Sequence, residues 1–263
     1  MTGPARPTGP IEAVTFDFWN TLVRQDDGIR AVRLDACQQV LSDAGMEVDR
    51  ADLERAFERA WDAYVERWHA NQVFTAADAV PVMVSALGAD AGVVTDLVEV
   101  FLAPPGGWRP PLTENVTDCL GELRDGGVAI GIICDVGLTP STALRGYLAD
   151  HGVLDQFDHW SFSDEVGVYK PDGRIFDHAR RGLAAAVGRT IDPSRMAHVG
   201  DLRRTDIAGA LSFGATAVRY AGAFDDPGET ARGTDTIEGH MVVTDHAFLP
   251  AALGVVGSRP VPT

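Results

Sequence analysis

A single lysine, Lys170, stands among the twenty-two lysines and arginines of this chain, in the segment EVGVYKPDGRIF just ahead of Pro171. Every other basic position is an arginine, a wide planar fork, so the surviving ammonium marks a place for a compact point charge with three donors. Several acids have positions that suit it. Asp17 closes the apolar run AVTFDF, Cys134 and Asp135 close GIICD, and Asp201 and Asp206 lie in HVGDLRRTDIAGA. Each group falls where an apolar run gives way to a loop. Carboxylates gathered around one ammonium carry a repulsion and desolvation cost on the order of several kcal/mol unless a cation joins them. Hard oxygen ligands select magnesium over zinc, so Mg²⁺ is the expected ion.

The elements that must position these groups read as an α/β fold. Ala13–Phe18 is a short, buried, β-rich run ending at an acid. Residues 24–110 change character. Leu34, Cys37, Leu41 and Ala44 recur at helical spacing before Gly45, and Leu53, Phe57, Trp61, Tyr64 and Trp68 form a second helical stripe. Thr75 with Asp78 is a capping pair for a third helix, and Val94, Leu97, Val98 and Phe101 imply a fourth. The aromatic stripe of Trp61 and Trp68 is expected to pack these helices together. Beyond the breaker-rich APPGGWRPP, helices at Thr113–Arg124, Pro140–Ala149, Asp172–Val187 and Thr205–Phe213 alternate with strands. Those strands are expected at Val128–Cys134, His159–Phe162, Met196–Val199 and Thr216–Tyr220, with a last one at Val242–Val243. The alternation implies a doubly wound parallel sheet, whose ligands bind outside the carboxyl ends of the strands. An all-helical unit, 24–110, interrupts a core of 13–23 and 111–250. Residues 1–12 and 251–263 read as a flexible and a loose tail.

Composition narrows the function. The 263 residues are 45% hydrophobic with a formal net charge of -16. Such a field repels polyanions, so nucleic acid and anionic membranes are not expected partners. Three cysteines without C-x-x-C spacing point to a reducing cytoplasm, and no run approaches the ~18 apolar residues of a membrane span. A small anionic substrate fits a local positive focus within an acidic chain. The histidines are scattered, and His198 reads as a packed strand residue. Arg30, Arg33 and Arg50 read as solvated surface before carboxylate binding, which any one of them could still perform.

TFDFWNTL, GIICDVG, VYKPDGRIF and HVGDLRRTDIAGA, in this order, resemble the four motifs of the haloacid dehalogenase superfamily, and the helical unit between the first two is similar to its C1-type cap. The resemblance implies a HAD-like Rossmannoid core. Carried over by residue, it makes Asp17 the nucleophile, Thr21 the hydroxyl steadying its loop, and Lys170 the neutralising cation. Asp201 becomes the acidic magnesium ligand and Asp206 its supporting carboxylate. Thr21, Cys134 and Asp135 take the places that meet substrate, and the backbone carbonyl of Trp19 joins the magnesium ligands.

Two residues depart from the pattern. Trp19 stands where phosphatases of the superfamily carry a second aspartate that protonates the leaving group, a contribution of about 10²- to 10⁴-fold. Cys134 replaces a Ser or Thr, and a thiol is a poorer donor. The first reading is a magnesium-dependent phosphohydrolase of a small metabolite, acting on a good leaving group such as an acyl phosphate or using a proton donor from the cap or substrate. A 2-haloacid dehalogenase is the second, since halide leaves without a proton and Trp19 suits it, although Asp201 would repel a carboxylate substrate. The third is a catalytically weak binder of phosphorylated ligands.

Overall fold

The computed structural model describes residues 9–25, 28–103, 107–226 and 239–255. Parts of both expected tails, 1–8 and 256–263, lie outside them, as do 104–106 of the proline-rich linker and the segment 227–238. The described ends differ from the tail reading, since Ile11 and Leu253 are both buried in the core.

Strand β1 (Ala13–Phe16) opens the fold. Four helices follow: α1 (Gly28–Asp43), α2 (Arg50–His69), α3 (Ala76–Leu87) and α4 (Val94–Leu102). Next come α5 (Val116–Asp125), β2 (Ala129–Cys134), α6 (Ser141–Asp150), β3 (His159–Phe162), the single turn α7 (Ser163–Val166) and α8 (Gly173–Val187). The remainder is β4 (Met196–Gly200), α9 (Ala208–Phe213), β5 (Thr216–Tyr220), β6 (Met241–Val243) and α10 (Leu249–Ala252).

All six strands are parallel, in the order β3-β2-β1-β4-β5-β6. The run direction reverses on either side of β1, so the crevice between β1 and β4 is the topological switch point. Register fixes what meets there: Phe16 pairs with Val199, so Asp17 and Asp201 emerge from adjacent strands at the same edge. Both faces of the sheet are covered, which is why β1, β2 and β4 are buried at every position rather than alternating. Val14, Phe16 and Ile132 pack on one side, with Ala13, Ile133 and Met196 on the other.

Helices α1 to α4 share a hydrophobic cluster of their own, built on Leu34, Leu41, Leu53, Phe57, Met83 and Leu97. Thr75 and Asp78 form the expected capping box at the start of α3, worth about 1 kcal/mol. Two core residues, Leu138 and Tyr169, complete this cluster from the sheet side. The helical insert is thereby seated over the carboxyl edge of the strands. No described helix is long and apolar enough to cross a membrane.

Candidate active site

Asp17 lies one residue past β1, where its N–H donates to Val199 O at 2.8 Å and binds the turn to β4. Its carboxylate meets the lone lysine. Lys170 Nζ donates to Asp17 Oδ1 at 2.5 Å, to Asp206 Oδ1 at 2.6 Å and to Ile133 O at 3.1 Å. All three ammonium protons are thus directed, and the side chain is 2% exposed. A guanidinium fork could not converge on three acceptors around one point in this way.

Asp206 is held by a π-helical turn, Arg203–Ile207, where a regular helix start was expected at Thr205. Its Oδ2 accepts Leu202 N–H at 2.9 Å, and its Oδ1 accepts His198 Nε2 at 3.0 Å as well as Lys170. Gly200 is obligatory beside it: a Cβ there would fall within 2.2 to 2.6 Å of the Asp206 side chain.

The charges do not balance. Burial pushes Asp17 up to about 7 against the pull of Lys170, and burial with the Asp17 and Asp206 charges lifts Asp201 well above the ordinary carboxylate range. Burial opposes charge on Asp206 too, but Lys170 and His198 outweigh it and hold that carboxyl low. Burial also acts against the Lys170 ammonium, and Asp17, Asp206 and Asp135 more than offset it, so the lysine stays protonated. Buried acids therefore outnumber the ammonium they share. One oxygen each from Asp17, Asp201 and Asp206 lie within 4.8 Å of one another. An all-oxygen, buried, over-negative cluster of this span could hold a hard divalent cation such as Mg²⁺.

Other expected site residues are distributed differently. Trp19 is half-buried, lines the cavity above Asp17 and stands edge-on to Phe18 at 5.2 Å. Asp135 also lines the cavity, but its Oδ1 accepts Lys170 N–H at 2.8 Å and its Oδ2 accepts Trp68 Nε1–H at 2.8 Å. It acts as a tie between loop and insert. Thr21 and Cys134 lie behind the cavity wall, fully buried. The Thr21 hydroxyl has no partner among the described residues, whereas its carbonyl accepts Thr113 Oγ1 at 2.6 Å and His246 Nε2 at 2.8 Å. Burial, then the Asp17 charge, raises the Cys134 thiol far above its usual value, which leaves it inert.

The cavity over these groups has a volume of about 260 Å³. Its roof corrects two sequence expectations. Trp61, Tyr64 and Trp68 face the cavity, and Trp61 is 40% exposed, so the aromatic stripe of α2 is not simply packing between helices. A 3.6-residue period marks a face without saying what it faces. Arg30 and Arg50 are surface ion pairs with Glu58 and with Asp35 and Glu54, as expected of solvated arginines, but Arg33 is 4% exposed and lines the cavity. Further ties join insert to core: Asn71 Oδ1 accepts Tyr169 N–H at 2.9 Å, and Phe74 N–H donates to Tyr169 OH at 3.0 Å.

His198, read as packing, is a buried partner of Asp206; the available signal was a polar residue inside an otherwise apolar strand three positions before Asp201. His246 and Thr113 had no signal, being distant in sequence from the loop they hold.

A family model described as haloacid dehalogenase-like hydrolase matches residues 11–214. The chain belongs to that family. Among haloacid dehalogenase-like hydrolases it is 25% identical over 225 residues to an (S)-2-haloacid dehalogenase of Pseudomonas sp. (strain YL), covering 84% of this chain and 88% of the relative. It is 26% identical over 213 residues to a glyceraldehyde 3-phosphate phosphatase of Methanopyrus kandleri, with coverages of 80% and 83%. The fold is shared with the crystal structure of a 2-haloacid dehalogenase from Pseudomonas syringae pv. Tomato DC3000, at a TM-score of 0.64 and 23% identity over 93% of this chain and 98% of that one. Hydrolysis is common to these relatives. By name they divide into dehalogenases and a phosphatase.

Proposed function

We propose that this hydrolase is a magnesium-dependent phosphohydrolase of a small phosphorylated metabolite, located in the cytoplasm. The observation that carries the reading is the cluster of Asp17, Asp201 and Asp206, three buried carboxylates sharing the single ammonium of Lys170. A metal-free attack on a carboxylate substrate would add a further negative charge to this cluster. A divalent ion supports it instead. Asp206 has its oxygens engaged by three N–H donors, which leaves Asp17, Asp201 and the carbonyl of Trp19 as the groups that would hold Mg²⁺. When bound, the ion would offset the charge of the phosphoryl oxygens.

Lys170 fixes Asp17 through Oδ1, so Oδ2 is the attacking oxygen. It bonds to phosphorus as the ester oxygen departs with the P–O electron pair, giving an aspartyl phosphate. Water then attacks that phosphorus, releasing phosphate and restoring the carboxylate. Lys170 stays protonated throughout and faces the developing charge. Trp19 offers no proton to the leaving group. No carboxylate of α1 to α4 lines the cavity, and the Tyr64 hydroxyl is raised well above its ordinary value by burial. The substrate therefore needs a weakly basic leaving group, and an acyl phosphate meets that requirement. Helices α1 to α4 act as the lid that excludes water.

The second reading, a 2-haloacid dehalogenase, is favoured by Trp19 and the aromatic roof, since halide departs unprotonated. A panel of acyl phosphates, phosphomonoesters and 2-chloroacids with and without Mg²⁺, repeated on Asp17→Asn, separates the two. Mg²⁺-dependent phosphate release abolished by the substitution supports the phosphohydrolase; metal-independent chloride release overturns it.

A further inference from the structure

Arg33 is a buried cation with no anion beside it among the described residues. It projects from α1 and lines the cavity that Asp17, Lys170 and Asp201 also line. Its Nη2 donates to Thr139 Oγ1 at 2.9 Å, to Leu138 O at 3.2 Å and to Phe101 O at 3.3 Å, all neutral acceptors. Its guanidinium lies 5.0 Å from the centroid of the Phe101 ring. Nε is enclosed without a partner, and Nη1 has no hydrogen bond to any described residue. No described carboxylate forms an ion pair with it, in contrast to Arg30 and Arg50 on the same insert. Burial lowers the guanidinium to about 10, which leaves it charged at neutral pH. A buried charge without a counterion costs several kcal/mol in general, and such a group is retained where a ligand supplies the missing partner.

The rest of the cavity limits that ligand. About 260 Å³ is below the range of drug-sized pockets, about 300 to 1,000 Å³, which suits a compact metabolite. Trp61, Tyr64 and Trp68 add apolar surface to the lining. Asp17, Lys170 and Arg33 all line this one cavity. With Nη2 engaged and Nε enclosed, Nη1 is the donor left for a ligand, which suits one oxygen of a singly charged carboxylate, whereas a second phosphate brings more charge and bulk than one cation in this space balances.

We propose that Arg33 is a specificity-determining residue that binds a substrate carboxylate, so that the substrate is a small phosphorylated carboxylic acid with its phosphoryl group at Asp17 and its carboxylate at Arg33. The proposal rests on the phosphohydrolase reading for the placement of the phosphoryl group. It assigns to the insert a charge-recognition role beyond covering the site. The tight seating of Arg33 against Leu138 and Thr139 means that the carboxylate is read only when the insert is closed on the core.

Binding tests this without turnover. In Mg²⁺-loaded protein, calorimetry compares 3-phosphonopropionate with propylphosphonate, which differ by a carboxylate against a methyl group. Wild type is expected to prefer the carboxylated phosphonate by on the order of 10- to 100-fold, the value of a charge-assisted hydrogen-bonded pair. Arg33→Met is expected to abolish the preference, weakening the carboxylated phosphonate more than propylphosphonate, and Arg33→Lys to restore part of it. A purely structural role would weaken both ligands alike and leave their ratio intact. Equal binding of the two by wild type, or a preference that survives in Arg33→Met, overturns the proposal, and the wild-type comparison stands even where the variant does not fold. Succinyl and butyryl phosphate, compared by kcat/KM, report separately on chemistry. If neither releases phosphate while the binding preference is present and lost in Arg33→Met, the phosphohydrolase reading fails and the role of Arg33 stands.

Discussion

His198 Nε2 lies 3.0 Å from Asp206 Oδ1, the same oxygen that Lys170 Nζ reaches at 2.6 Å. Asp206 is charged and can only accept, so Nε2 carries the proton, and Nδ1 accepts from the Thr15 hydroxyl at 2.9 Å. Burial keeps this imidazole neutral. A chain of bonds thus runs from the middle of β1 through β4 to the ammonium that fixes Asp17. Replacing the donor by carbon in His198→Leu removes one of the groups that hold a buried carboxylate. The expected loss is about 1 to 3 kcal/mol of stability, read as a lower urea midpoint, with His198→Gln recovering part of it.

Gly200→Ala tests the same carboxylate from its other side. The added Cβ would overlap Asp206, whose fixed backbone in the π-helical turn leaves little room to retreat. A displacement near 1 Å at such a group costs on the order of 10²-fold in rate. Activity should fall by about that factor, with far-UV circular dichroism unchanged.

His246 links folding to pH through the nucleophile loop. Burial lowers it to about 4, and it donates from Nε2 to the Thr21 carbonyl while stacking on Tyr220 at 4.2 Å. The folded value lies below the unfolded value of about 6.5, so the unfolded chain binds the proton first as pH falls. Its contribution is complete above about 6.5 and is lost as the pH drops toward 4. Between pH 7 and pH 5 that loss is roughly 2 kcal/mol. Urea unfolding of wild type should show it, and His246→Gln should lack this component of the acid dependence.

Trp68→Phe removes the N–H that Asp135 Oδ2 accepts and keeps the apolar ring. The insert then loses a direct tie to the loop carrying Asp135, and a buried oxygen loses its donor. A decrease of about 5- to 10-fold in kcat/KM is expected, carried mainly by KM, because closure rather than the reacting atoms is affected.

The parallel sheet was legible because its strands are buried on both faces and stand out as short apolar runs between helical periods. Asp17, Lys170, Asp201 and Asp206 were legible for a related reason: each follows such a run or precedes a helix, and a doubly wound sheet brings those junctions to one edge. What one sequence could not show is direction. Arg33, Arg30 and Arg50 are alike in the sequence, and only the packing of α1 against Leu138 and Phe101 buries the first and leaves the others paired at the surface. Trp61 and Trp68 occupy a helical face that could equally have met α1 or a cavity. The hold on Thr21 by Thr113 and His246 spans 92 and 225 residues of sequence, beyond any local pattern. The π-helical turn at Arg203–Ile207 is set by Asp206 reaching back to Leu202 N–H, which a helix period does not reveal.

Titration of the protein with Mg²⁺ by isothermal calorimetry, on wild type, Asp201→Asn and Asp17→Asn, tests most directly whether the buried acids seat a divalent ion. Wild type should bind one Mg²⁺ per chain, with affinity weakened at least 10-fold in each variant as a negatively charged oxygen ligand is lost. A wild type that takes up no Mg²⁺ at millimolar concentration, or one whose binding both substitutions leave unchanged, would contradict the account.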